Sequence, residues 1–165
     1  MITIISGTNR PDSKSLKLAQ LYAGLLAQSE EVKILSLANA MIWERNAEMI
    51  AVEEEYLVPA EKFVFVMPEY NASFPGAVKV LLDNSDIKKC WWYKKAMLVG
   101  LSEGRAGNIR GVEHMTSILH YLKVHVLYNK VLISRMSEEM DDAGKLLKKE
   151  TADMIKLQTE EFIKF

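Results

Sequence analysis

The amino-acid sequence predicts an α/β fold: a five-stranded parallel sheet of order 2-1-3-4-5 between two layers of helices, a three-layer sandwich. Three observations carry this. Four short stretches are apolar throughout rather than alternating, as strands covered on both faces must be. Segments of helical period lie between them. The chain has 165 residues of which 49% are hydrophobic, enough for one globular domain, residues 1–165, with its own core.

The elements follow in order. Ile2–Ser6 is β-branched and too short for a helix, so it reads as the first strand. In Ser13–Ala27, Leu18, Tyr22, Leu25 and Leu26 recur at helical spacing behind Ser13 or Ser15 as N-cap. Val32–Leu37 is the second strand. Ala38–Pro59 holds the run Glu53, Glu54, Glu55 and no clear period; it reads as a short helix with loops. Phe63–Met67 is the third strand, and Pro75 opens a helix over Gly76–Leu82. After the fourth strand, Ala96–Leu101, the segment Gly111–Leu122 sets Val112, Met115, Leu119 and Leu122 on one stripe. Val124–Ser134, interrupted by Asn129, is one bent strand or two short ones. Ala143–Phe162 is the last helix, with Leu147, Met154, Ile155 and Phe162 as its inner face. Such alternation implies right-handed crossovers, and five strands favour the flavodoxin-like order.

Composition narrows the partners. Lys and Arg number 21 against 22 Asp and Glu, a net charge of −1, which offers no field to attract nucleic acid or an anionic membrane. Lys88, Lys89, Lys94 and Lys95 form the one basic cluster and read as solvated loop charge. Cys90 stands alone, which excludes an intramolecular disulfide and suits a reducing cytoplasm. The amino terminus does not resemble a signal peptide, and no apolar run approaches the roughly 18–20 residues that span a bilayer. His114, His120 and His125 lack metal-ligand spacing, so no metal is expected. A cytoplasmic protein without nucleic-acid or membrane partners is the expectation.

Ligands of doubly wound sheets bind beyond the carboxyl ends of the strands, near the switch point between strands 1 and 3. Three loops leave those ends. The first, Ser6–Ser15, combines a glycine, several hydroxyls, Arg10 and a helix N-terminus, which are the features a phosphate needs. It is neither a Walker A loop nor GxGxxG. The second, Pro68–Gly76, is a Pro- and Gly-punctuated turn carrying Tyr70 and Phe74, suited to a planar ligand. The third, Gly100–Asn108, has glycines that admit close backbone approach.

Here the sequence resembles the NADPH-dependent FMN reductase family, a flavodoxin-like group with azoreductases, quinone reductases and chromate reductases. The family's G-S-x-R-x-x-S-x-N appears as Gly7-Thr8-Asn9-Arg10-Pro11-Asp12-Ser13-Lys14-Ser15. Its P-E-Y-N-x-S-x-P-G-x-L-K-N-x-x-D is nearly intact from Pro68 to Asp83, and S-x-G-x-x-G matches Ser102, Gly104 and Gly107. Thr8 replaces the usual Ser, Ser15 the usual Asn, and Val80 another Asn.

The resemblance implies FMN as cofactor and NADPH or NADH as co-substrate. Thr8, Arg10, Ser13 and Ser15 would hold the FMN phosphate. Pro68, Glu69, Tyr70 and Asn71 would lie along the isoalloxazine, mostly through backbone groups, with Ser102 and Gly104 at its pyrimidine end. No side chain is needed as a nucleophile, since the chemistry is the flavin's. The implied function is an oxidoreductase that reduces a small acceptor such as a quinone, an azo compound or free flavin. The alternatives are a flavodoxin-like electron carrier and a non-catalytic flavin-binding module; the small net charge and Arg10 argue against the carrier. The implied assembly is a homodimer or a dimer of dimers. Its interface would be the surplus apolar surface of the helices at Gly76–Leu82 and Gly111–Leu122, Leu81 and Leu119 included. The loop holding Trp91 and Trp92 would wall the neighbouring pocket.

Overall fold

Every strand of the sheet runs parallel to its neighbour, in the order β2-β1-β3-β4-β5, with β6 also beside β4. The computed structural model describes all 165 residues. The strands are β1 Ile2–Ser6, β2 Val32–Ser36, β3 Lys62–Pro68, β4 Lys95–Leu101, β5 His125–Val126 and β6 Val131–Ile133. The helices are α1 Lys14–Leu26, α2 Ala47–Val52, α3 Gly76–Asn84, α4 Ile87–Cys90, α5 Ile109–Tyr121, α6 Met136–Glu139 and α7 Lys149–Lys164. A π-helical turn, Glu53–Leu57, prolongs α2.

Strand alternation divides the core in two. Ile5, Phe63, Phe65, Met67 and Leu98 pack with Val78, Leu81 and Met115 of α3 and α5. Ile2, Ile4, Val64, Val66, Met97 and Val99 pack with Leu18, Tyr22, Ile155 and Phe162 of α1 and α7. Both faces are covered, which is why the strands read as unbroken apolar runs.

The fifth position holds two short strands. β5 pairs with the start of β4 through Lys95 and Ala96, and β6 with its end through Val99, Gly100 and Leu101. Gln158 of α7 serves the gap: its side-chain amide donates to Leu98 O at 3.0 Å and Asn129 O at 2.9 Å, and its carbonyl accepts from the Tyr22 hydroxyl at 2.7 Å. A buried side chain thus replaces the missing ladder bonds. Burial also pushes the Tyr22 phenol far above its ordinary range.

Three expectations need correction. The last helix begins at Lys149, not Ala143, because Asp141–Lys145 forms a turn with Gly144 at φ 85°. Its inner face is Thr151, Ile155, Gln158, Thr159 and Phe162, while Leu147 and Met154 are exposed. The basic cluster is only partly solvated. Lys94 donates to the Leu57 and Val58 carbonyls that end the π turn, and Lys95 to the carbonyl of Phe165. Burial lowers the Lys94 pKa. Finally, Trp91 is fully buried against Phe63 and Phe65, its indole N–H donating to Ser85 Oγ at 2.7 Å. It therefore walls no pocket, and Cys90 beside it ends α4, also buried.

Candidate active site

β1, β3 and β4 end side by side, Ser6 opposite Val66 and Pro68 opposite Leu101. The three loops that leave them enclose one cavity of about 760 Å³. From the first loop it is lined by Thr8, Arg10, Pro11, Ser13, Lys14 and Ser15. The second loop adds Pro68, Glu69, Tyr70, Asn71 and Ala72. The third adds Leu101, Ser102, Glu103, Gly104, Arg105 and Ala106, and α6 adds Met136. All ten residues singled out in the sequence line this one space.

The first loop begins with a close approach. Gly7 donates its N–H to Val66 O at 2.9 Å, and a Cβ there would stand 2.9 Å from Val78 Cγ2. Only glycine lets the chain turn so tightly against β3 and α3. Ser13 then caps α1, its oxygen accepting from the Leu16 N–H at 3.2 Å, so its own proton remains free to donate. The first-turn N–H groups of a helix lack intrahelical partners and carry partial positive charge. Thr8, Arg10, Ser13 and Ser15 converge there, and no carboxylate of this loop reaches the cavity. This donor set fits a phosphate monoester.

The second loop is a two-residue hairpin. Tyr70 and Ser73 exchange backbone bonds of 2.8 and 3.0 Å, and the central Asn71 and Ala72 have φ of 50° and 62°. That is the primed turn geometry, which an Ala adopts only under strain. The Tyr70 and Thr8 hydroxyls lie 2.6 Å apart, and the Arg10 guanidinium sits 4.6 Å from the Tyr70 ring centroid. The first two loops are thereby tied together.

The third loop is built around Ser102. Its hydroxyl donates to Gly104 O and accepts from Gly107 N–H, both at 2.9 Å. Its only proton is committed to the loop, so Ser102 shapes the wall and donates nothing to a ligand. Gly100 runs beneath this loop, where a Cβ would stand 2.4 Å from Gly107 O.

Several contributors escaped the sequence reading. Asn108 is wholly buried and left-handed at φ 64°. Its side chain donates to Met67 O at 2.9 Å and Pro68 O at 3.1 Å, and its N–H donates to Glu69 Oε2 at 3.2 Å, clamping the second loop to α5. His114 Nδ1 lies 2.9 Å from Ser73 Oγ, a further brace on that loop. Lys14, Glu103, Arg105 and Met136 line the cavity. Asn108 after Gly107 was a legible left-handed signal; Met136 had none, since nothing local marks where α6 packs.

Comparison with known proteins decides the family. A profile of the NADPH-dependent FMN reductase family matches residues 1–138. The chain belongs to this family. The NAD(P)H-dependent FMN reductase of Pseudomonas aeruginosa is 28% identical over 163 residues, covering 93% of this chain and 88% of that one. The 2-hydroxy-1,4-benzoquinone reductase of a Burkholderia species is 23% identical, covering 91% and 87%. Among solved structures, the flavoenzyme NAD(P)H:(acceptor) oxidoreductase FerB from Paracoccus denitrificans superposes with a TM-score of 0.85 at 19% identity, covering 99% and 94%. That likeness speaks to the flavodoxin-like fold. As an FMN reductase family member, this chain places the family's three motifs around one cavity, while α7, with Gln158, lies outside the matched residues.

Proposed function

We propose that this protein is an FMN-dependent oxidoreductase that takes hydride from NADPH or NADH and reduces small acceptors, quinones foremost. One observation carries the reading: in a member of the FMN reductase family, the three motif loops line one cavity, to which the first loop contributes Arg10 and hydroxyls but no carboxylate. The phosphate of FMN is assigned to Arg10, Ser13, Ser15 and Thr8 beside the N-terminus of α1. The isoalloxazine is assigned to Pro68, Glu69, Tyr70 and Asn71, with Ser102 and Gly104 bounding the pyrimidine end. When bound, FMN supplies the hydride acceptance and electron delivery that no side chain here provides.

The chain's own residues position and enclose. Asn108 and His114 hold the second loop at a set height above the sheet. Tyr70, bonded to Thr8 and covered by Arg10, couples the anion end to the ring end. Quinone reduction is favoured because a relative of similar length is named a benzoquinone reductase.

The reading extends to a cytoplasmic location, to one domain spanning residues 1–165, and to a homodimer. A groove of about 550 Å³ between α3 and α5, lined by Leu82, Ile87, Ile118 and Tyr121 among others, supports that assembly. Tyr121 is 83% exposed and Ile87 44%. Leu81 and Leu119, expected at the interface, are instead fully buried and face the sheet. They belong to the core, because those turns of α3 and α5 direct them inward.

The deciding experiment is to mix purified protein with FMN and add reductant anaerobically. Flavin bands at about 370 and 450 nm should be retained after gel filtration, bleach with NADPH or NADH, and return with a quinone. Failure to bind FMN at micromolar concentration would falsify the assignment.

A further inference from the structure

The charged groups of the cavity sort into partnered and free. Lys14 donates to Glu103 Oε1 at 3.1 Å and also to Ser137 Oγ. The other Glu103 oxygen accepts from the Ser137 hydroxyl at 2.6 Å and its N–H at 3.2 Å. Led by the Ser137 hydroxyl, these bonds hold the Glu103 carboxyl below its ordinary range. Glu69 accepts from the Asn108 N–H. Two lining guanidiniums have no carboxylate partner: Arg10, lying over Tyr70, and Arg105.

Whereas Arg10 lines the cavity from the first loop, Arg105 lines it from the third. It is exposed, and its sequence neighbour Glu103 is turned away onto Lys14 and Ser137. The loop beneath it is rigid, since Gly104 O accepts from both Ser102 Oγ and the Arg135 N–H at 2.9 Å. The single phosphate of FMN accounts for Arg10 and the hydroxyls near α1. It leaves Arg105 unused.

We infer that Arg105 is the phosphate-binding residue for the nicotinamide dinucleotide, and that it sets affinity for the reductant rather than for FMN. This rests on the oxidoreductase reading above. A planar guanidinium on a pre-formed loop matches a phosphate bidentately and loses little freedom on binding. The phosphate concerned is either the 2′-phosphate of NADPH or the pyrophosphate common to both dinucleotides.

The test uses FMN-loaded protein and two fragments, 2′,5′-ADP and 5′-ADP, titrated calorimetrically, beside steady-state kinetics with NADPH and NADH. Arg105→Ala should weaken fragment binding about tenfold or more, with a matching rise in KM that kcat does not share. Arg105→Lys should recover part of the loss, having the charge without the fork. Arg110→Ala, an exposed arginine of α5 off the cavity, should match the parent protein. Loss confined to 2′,5′-ADP and NADPH assigns the 2′-phosphate; equal loss with both pairs assigns the pyrophosphate. The inference is overturned if Arg105→Ala binds both fragments and both dinucleotides like the parent, or if it weakens FMN binding instead. If the parent protein itself is not reduced by either dinucleotide, the oxidoreductase reading fails first, and this inference falls with it.

Discussion

Arg10 is held by stacking on Tyr70 rather than by an ion pair, so its charge is available to a ligand. Arg10→Ala should therefore weaken FMN binding by about 1.5–3 kcal/mol, or roughly 10- to 150-fold, because a charge-assisted bond is lost. The melting temperature of the FMN-free protein should barely move; fluorescence titration and a thermal scan together check both halves. Ala72 tells the opposite story. At φ 62° its Cβ crowds the backbone, at a cost of about 1–2 kcal/mol. Ala72→Gly should raise the melting temperature by a few degrees, since glycine removes that strain while giving back part of the gain as unfolded-state entropy. An unchanged or lower value would mean the hairpin does not need its left-handed centre.

At the level of elements, the broken edge of the sheet depends on α7. Gln158→Leu keeps the volume but removes the donor to Leu98 O and Asn129 O and the acceptor for the Tyr22 hydroxyl. Leaving buried polar groups unpaired costs about 1–3 kcal/mol each, so a net loss of roughly 2–4 kcal/mol is expected in urea unfolding. Adding Tyr22→Phe should restore part of it, because one orphaned hydroxyl disappears. The double-mutant cycle would sum without coupling if the two side chains did not share that bond. The π turn after α2 is a comparable device, its Tyr56 carbonyl taken by Thr3 Oγ1 at 2.6 Å and its end capped by Lys94.

For the whole molecule, acid should loosen the fold. Lys62 lowers the Glu30 carboxyl, Lys148 and Thr151 lower Glu139, and Ser137 and Lys14 lower Glu103, each below the usual 4.5. The unfolded chain then binds more protons than the folded one just below that pH. Stability is fully present above it and declines as pH falls through the depressed values. Urea midpoints measured from pH 6 down to 3 should fall, and Glu30→Gln should flatten part of that slope. In solution the reading of a homodimer predicts a light-scattering mass of twice 18.8 kDa. Tyr121→Asp with Ile87→Asp should dissociate it without unfolding, since both side chains are exposed in the single chain. Leu81→Glu or Leu119→Glu would unfold the protein instead, because each buries a charge in the core. A mass near 18.8 kDa for the parent protein would end the dimer reading.

The strand order and the three loops that line the cavity were legible in the sequence because each rests on local chemistry. Unbroken apolar runs report two-sided burial, Ser13 reports a helix start, and Asn71 reports a tight turn within a few residues of where it acts. Long-range partners were not legible. Gln158 reads as a polar helix residue until α7 is laid across the gap in the edge strand, and Trp91 reads as an exposed loop aromatic until it meets Phe63. Arg105 and Glu103 are two charges in one loop, and only Lys14 and Ser137, 89 and 34 residues away from Glu103, determine which of them is free. Periodicity records which face of an element is buried; what stands opposite that face is decided by packing between segments distant in the chain.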